Sequence, residues 1–258
     1  MHSADIKQAM QDRYDGFAER VAKEVETIQS AAELWRVAEG ARPALAYFRR
    51  RKLETALRLG RFRPGSAILD VGCATGDYTF LLARMGFRMT GADLSPKSTE
   101  TAKTKADRLG IRDIRFVTSD AERLMELPDQ AFDGAVSFSA LRYVPNLEQA
   151  LAAIHRVLKP GAAAVLDFPN RYCPWFTLLK NRVGVETHFH DHQYSRSEIS
   201  RMFTRAGFAS VDTRVILFTS YLTPAPMLPA FQLVDLIAER TPGLNQTAAI
   251  VIAKGVKP

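Results

Sequence analysis

The residues best suited to chemistry gather in one stretch of this chain. Ile68-Leu69-Asp70-Val71 is an apolar run carrying an acid near its end, and Gly72-Cys73-Ala74-Thr75-Gly76-Asp77 follows it. Glycines at 72 and 76 let the backbone turn tightly and approach a ligand that a Cβ would hold off. A strand, a glycine turn and a helix in succession present backbone amides and a helix N-terminus to a cofactor. A dinucleotide turn needs glycine at its first, third and sixth places, but here the third is Ala74 and the sixth Asp77. Two further acids follow. Asp93 comes 21 residues after Gly72, where a carboxylate accepts from both hydroxyls of a ribose. Capping of the next helix, its other role, is already served by Ser95. Leu94 stands beside it. Asp120, in Thr118-Ser119-Asp120-Ala121, is placed to accept from the exocyclic amine of an adenine, with the Ala121 N–H reaching a ring nitrogen. Together Asp70, Asp93 and Asp120 favour a cationic, adenosine-bearing ligand and repel a pyrophosphate.

A second cluster is His188-Phe189-His190-Asp191-His192. In an extended segment His188, His190 and His192 share one face and Asp191 takes the other. Three roles are open: a proton acceptor of near-neutral pKa, a metal site, or a hydrogen-bonded loop anchor. The missing carboxylate and cysteine partners argue against zinc, and no metal is expected. Tyr143 is a further candidate to steer or deprotonate a hydroxyl, or else a packed ring. Cys73 reads as a small side chain without a base beside it, and His155 as a surface or capping residue. Two cysteines without a CxxC pair point to reduced thiols and a cytoplasmic setting. Met1 to Met10 lacks the apolar core of a signal peptide, and the apolar runs are too short to span a bilayer.

The elements that must position these residues alternate strand and helix from residue 67, as an α/β sheet requires. Strands are expected at Ala67–Val71, Arg88–Asp93, Ile114–Thr118, Phe132–Phe138 and Ala162–Phe168, then Val211–Phe218 and Ala248–Ala253. Helices are expected at Tyr78–Met85, Pro96–Leu109 between Ser95 and Gly110, Leu147–Leu158 before Lys159-Pro160-Gly161, and Ser195 through Ala206. Residues 5 to about 60 read as helical throughout, with Ile6, Met10, Tyr14, Phe17 and Val21 on one face. A helix from Pro43 carries Leu45, Phe48, Leu53, Ala56 and Leu57 inward and its arginines outward. Two units follow: a helical cap over 1–60 and an α/β domain over 61–258, with an insertion at 169–193. The cap either covers the cofactor or substrate or is scaffolding.

The chain resembles class I S-adenosylmethionine-dependent methyltransferases. Five stretches carry the likeness: Leu69–Gly76, Gly91-Ala92-Asp93-Leu94-Ser95, Ser119-Asp120-Ala121-Glu122, Phe132-Asp133-Gly134-Ala135-Val136 and Arg156-Val157-Leu158-Lys159-Pro160-Gly161. The resemblance implies a Rossmann-like, doubly wound seven-stranded sheet ordered 3-2-1-4-5-7-6, its last strand antiparallel. It implies S-adenosyl-L-methionine as cofactor and S-adenosyl-L-homocysteine as product. In that scheme the Asp70–Gly76 turn (Asp70, Gly72, Cys73, Ala74, Gly76) holds the methionine part, Asp93 the ribose, and Asp120 with Ala121 the adenine. Ser137 would border the methionine amine and the sulfonium. Two departures matter. Ala74 replaces a common glycine, which a right-handed conformation would tolerate, and Leu141-Arg142-Tyr143 lacks the histidine base of many small-molecule relatives.

No Asp/Asn-Pro-Pro-aromatic turn follows the fourth strand, where Ser137-Phe138-Ser139-Ala140 stands, so a small acceptor is favoured over a nucleic-acid amine. The apolar, proline-kinked segment from Ile216 to Ile237, with Arg49–Arg51, points to an amphiphilic acceptor such as a prenylated quinone precursor or a lipid-linked group. Simple packing on the sheet is the other reading. Oxygen is the preferred target atom, ahead of nitrogen or carbon. The net charge of +7 adds peripheral contact with an anionic membrane as an expectation, and an RNA acceptor held by the basic helices as an alternative. A cofactor-binding protein without methyl transfer is a further alternative, and the oligomeric state is open.

Overall fold

The computed structural model describes residues 3–174 and 192–258. The N-terminal segment breaks once more than expected, before the break ahead of Pro43. It forms α1 (Ser3–Thr27), α2 (Ala31–Glu39) and α3 (Pro43–Gly60). Ser30 caps α2 by accepting from the Glu33 N–H, and Gly40 ends that helix at φ 118°. Pro43 opens α3 at the first helical turn, where its fixed φ suits and its missing N–H costs nothing.

The α/β part follows as β1 (Ala67–Val71), α4 (Asp77–Arg84), β2 (Arg88–Asp93), α5 (Pro96–Leu109), β3 (Ile114–Thr118), β4 (Phe132–Ser137), α6 (Leu147–Val157) and β5 (Leu158–Pro169). Then come α7 (Arg196–Arg205), β6 (Ala209–Ile216), α8 (Leu228–Ala238) and β7 (Ile250–Val256). One seven-stranded sheet results, in the expected order β3-β2-β1-β4-β5-β7-β6. Its pairings are parallel except at β7, which runs antiparallel to both β5 and β6. β1 lies centrally, with Ile68, Leu69 and Val71 fully buried. Burial on both faces explains why this run shows no polar alternation. Leu69, Val71, Ala135 and Leu166 pack towards α6 and α7 through Leu151, Ile154 and Phe203. Ile68, Val136 and Val165 pack the other way, against Leu53 and Ala56 of α3 and Leu82 of α4.

Three expectations change. Lys159-Pro160-Gly161 follows the end of α6 as expected but also lies inside β5, which already pairs Leu158 with Phe132 before a register shift. The segment after β6 holds a helix, α8, which period reading missed because its acid, Asp235, is buried while Leu233 and Leu236 are exposed. The basic run of α3 is turned outward only at Arg50. Arg49 pairs with Asp77, Arg51 with Glu239, and Lys52 with Asp167. The two stems of the insertion meet at a bridge between Asn170 and Tyr194. No helix among the described residues is long and apolar enough to cross a membrane.

Candidate active site

At the carboxyl ends of β1, β2 and β3 a cavity of about 280 Å³ opens beneath α1. Asp70, Gly72, Cys73 and Ala74 line it from the first turn, Asp93 and Leu94 from the second, and Asp120 and Ala121 from the third. Tyr143 completes the group, from the short helical turn Leu141–Tyr143. Crossover connections in a parallel sheet deliver successive strand ends to one edge, so residues far apart in sequence meet here.

The turn is built tightly. Gly72 has φ +73°, and a Cβ there would lie 2.1 Å from the Ala140 Cβ, so only glycine fits. Ala74 takes φ +46°, not the right-handed conformation expected of it. An L-residue in the left-handed region costs about 1–2 kcal/mol. The strain has a visible support, because the Ala74 N–H donates to Asp93 Oδ2 at 2.8 Å. Asp93 Oδ1 accepts from the Ser95 N–H at 3.0 Å. Each carboxylate oxygen has a second lone-pair site, so Asp93 can hold the turn and still accept from a diol. Ser95 itself caps α5, accepting from the Ser98 N–H.

Burial raises two of the acids. The Asp70 carboxyl is pushed up to about 7 by burial, with the Thr79 hydroxyl at 2.6 Å opposing and the Asp93 and Asp167 charges adding. Burial likewise raises Asp93 against the pull of its backbone hydrogen bonds. Burial, then the Asp93 and Asp70 charges, lift the Cys73 thiol well above its ordinary range. A thiolate nucleophile is therefore disfavoured.

Not every expected residue reaches the cavity. Ser137 is fully buried and its hydroxyl donates to the Val71 carbonyl at 2.7 Å. The lining positions beyond it are Phe138, Ser139 and Ala140. Gly76 closes the turn instead, its N–H donating to the Cys73 carbonyl as α4 begins. His192 is exposed outside the cavity, with its backbone N–H on the Arg142 carbonyl and its ring 6.2 Å from Tyr194. His188 and His190 lie outside the described residues. No metal-binding cluster occurs among the described residues.

Other residues were not anticipated. Lys7 of α1 reaches Asp120 Oδ2 at 2.6 Å and also pairs with Glu122. Burial opposes its charge, yet hydrogen bonds to the two carboxylates outweigh that and hold the Lys7 pKa above the ordinary lysine range. Met10, Tyr14 and Phe17 extend the same face of α1 over the cavity, in the covering role open to the N-terminal helices. Asp77 is gripped from two helices, by Arg49 of α3 at 2.8 Å and Lys105 of α5 at 2.6 Å. Deepest lies Lys52, fully buried, 2.5 Å from Asp167 Oδ2 and 2.6 Å from Ser139 Oγ. Phe48, Tyr78 and Phe138 present their rings to its ammonium. Burial lowers the Lys52 pKa while Asp167 pushes it back up. A signal existed: Leu45, Phe48, Lys52 and Ala56 fall at three- and four-residue steps on one helical stripe.

A model of a methyltransferase domain matches residues 69–166. Demethylmenaquinone methyltransferase of Staphylococcus aureus is 31% identical over 177 residues, covering 59% of this chain and 71% of that protein. The chain belongs to the class I S-adenosylmethionine-dependent methyltransferases. Another relative, the S-adenosyl-L-methionine-dependent Diels-Alderase iccD of Talaromyces variabilis, is 31% identical over 163 residues, 59% of this chain and 56% of its own. The chain spans about half the length, or less, of several curated relatives that it matches. Among solved structures, a methyltransferase of Thermotoga maritima shares the fold with a TM-score of 0.59 at 18% identity, over 88% of this chain and 94% of its own.

The site fits the family's cofactor. A turn closed to any Cβ at Gly72 and three acids on one edge match a cationic adenosine ligand. Lys7 and Arg49, the basic side chains that line the cavity, are both engaged with carboxylates.

Proposed function

We propose that this methyltransferase moves a methyl group from S-adenosyl-L-methionine to an oxygen of a small amphiphilic acceptor. The turn Gly72–Ala74 would hold the methionine part, Asp93 the ribose, and Asp120 with Ala121 the adenine. When bound, the cofactor supplies a methyl group on a sulfonium, open to in-line displacement. The protein's share of the rate is then orientation and exclusion of water. Tyr14, Phe17, Tyr78, Phe138 and Tyr143 wall the cavity with rings, which suits an acceptor with an apolar body.

One observation carries the choice of oxygen. Ser139 Oγ accepts from Lys52 Nζ, so its own hydrogen is directed elsewhere, and Ser139 lies exposed on the cavity wall. A hydroxyl polarised by a buried cation is a strong donor to an acceptor oxygen bearing negative charge. Tyr143, on the same wall, would steer that group. His188 and His190 are further proton-acceptor candidates, tested by single substitution. Three cations of the basic run that an RNA acceptor would use, Arg49, Arg51 and Lys52, are engaged within the protein through Asp77, Glu239 and Asp167.

The test begins with calorimetry of S-adenosylhomocysteine binding, which Asp93→Ala should weaken at least about tenfold (the worth of one charge-assisted hydrogen-bond site). Purified protein is then incubated with S-adenosylmethionine and a panel of phenols, quinols, amines and activated carbons. Methylated hydroxyl products, lost in Ser139→Ala, support the proposal, whereas methylated amines or carbons alone would overturn it. The name of the Diels-Alderase relative motivates a second reading, cofactor use without methyl transfer. Acceptor turnover without S-adenosylhomocysteine release would establish it.

A further inference from the structure

Helix α8 is built inside out. Its one acid, Asp235, is 1% exposed and accepts from the Phe218 and Thr219 amides, the Thr219 hydroxyl and the Tyr47 hydroxyl, at 2.5, 3.0, 2.6 and 2.9 Å. Glu239, just beyond the helix, accepts from the Leu217 N–H at 2.8 Å and pairs with Arg51. These bonds fix the rotation of α8 about its own axis. With 3.6 residues per turn, Leu233, Val234, Leu236 and Ile237 are left facing solvent, exposed by 55, 44, 52 and 58%. Tyr221, Leu222 and Met227, in the approach to the helix, are exposed as well. A clustered apolar surface on a soluble face marks an interaction site, and this one is held open by a satisfied polar network.

A groove of about 620 Å³ runs alongside, between α8, α3 and the β6–β7 edge. Six cations line it, Arg51, Arg58, Arg61, Arg214, Arg240 and Lys254, against two carboxylates, Asp212 and Glu239. Asp212 pairs with Arg214 and Glu239 with Arg51. Arg58, Arg61, Arg240 and Lys254 have no carboxylate partner among the described residues. Leu236 belongs to both surfaces, so the apolar face and the cationic groove are continuous.

We propose that this face docks on an anionic lipid bilayer. α8 lies in the headgroup–acyl boundary with Leu233, Val234, Leu236 and Ile237 in the apolar layer, and the groove cations meet lipid phosphates. Charge selects this occupant over a second copy of the chain, because a self-complementary contact would bring like-charged grooves together. Docking through α8 holds whichever acceptor is methylated, and its test does not read methyl transfer.

Co-sedimentation of the full chain with phosphatidylcholine vesicles, with and without phosphatidylglycerol, provides that test. The protein is expected to bind the anionic vesicles and release as salt rises. Leu233→Ser with Ile237→Ser leaves the charge unchanged and should weaken binding about tenfold or more, from the apolar area withdrawn. Arg58→Ser and Arg240→Ser should each cost roughly fivefold. Ile237→Trp should shift its emission to the blue on vesicles and be quenched by brominated acyl chains. Failure to bind anionic vesicles at low salt overturns the proposal. So does binding unchanged by the serine pair, which would be unspecific charge attraction. A dimer that the serine pair dissociates, with vesicles ignored, would show that a second copy covers the face.

Discussion

The Lys52 ammonium lies 2.5 Å from Asp167 Oδ2, and the two side chains are 1% and 2% exposed. Asp167 Oδ1 also accepts from the Ser139 N–H at 2.6 Å, so one buried pair fixes the loop after β4. Ser139 there has φ +60°, a conformation that needs such support.

Removing one charge from this pair should be costly. Lys52→Met leaves Asp167 buried and unanswered, which is expected to lower stability by about 3–5 kcal/mol. Lys52→Met with Asp167→Asn should be milder, since no lone charge remains. Urea unfolding of both variants checks this, and a double variant no more stable than the single one would contradict it.

Asp70 should make stability fall with rising pH. Its carboxyl keeps a proton to about pH 7 in the folded protein, but only to about 4 when unfolded. Between those values the folded state binds more protons, so stability is lost as pH rises through that window. Asp70→Asn removes this loss and should be the more stable protein at pH 8, by up to about 4 kcal/mol. Parallel pH profiles of the two proteins would rule out Asp70 as the source.

Lys7→Met should loosen α1. The lysine is its tie to Asp120 and Glu122, and a partly buried pair of this kind contributes on the order of 1 kcal/mol. Amide hydrogen exchange across residues 3–27 is expected to quicken about fivefold, while β1 and β4 stay protected. Unchanged exchange would mean that the α1–α5 packing holds the helix alone.

Ala74→Gly should stabilise the protein. Relief of the left-handed alanine offers about 1–2 kcal/mol, and the extra freedom of unfolded glycine takes back about 0.4–1. A net gain of up to about 1 kcal/mol corresponds to a Tm increase of roughly 2–4 °C for a domain of this size. A lower Tm would show that the turn relaxes without strain.

The sheet was legible because short apolar stretches alternate with helical ones from residue 67, the first of them ended by a glycine turn, and the three acids at the strand ends are placed by topology alone. Asp70, Asp93 and Asp120 meet for that reason. What sequence could not show depends on long-range pairing. Lys52 looks like one more surface cation of Arg49–Lys52 until Asp167, 115 residues later, supplies its partner. Ser137 and Ser139 are equally small and polar and two residues apart, a spacing that in a strand would share a face. But β4 ends at Ser137 and the backbone turns to φ +60° at Ser139, so one bonds the Val71 carbonyl while the other lines the cavity. α8 escaped because its period is inverted, with acid inside and leucines outside.

The place of β7 has a consequence for how the chain comes off the ribosome. It is made after β6 yet lies between β6 and β5. Until residues 250–256 emerge, β6 has no strand to pair with, and β5 presents a long unpaired edge rich in alanine, valine and leucine. Such an edge is a template for the wrong strand. Newly made chains paused before β7 would therefore be the species most prone to aggregate, and the one on which a chaperone has most to act.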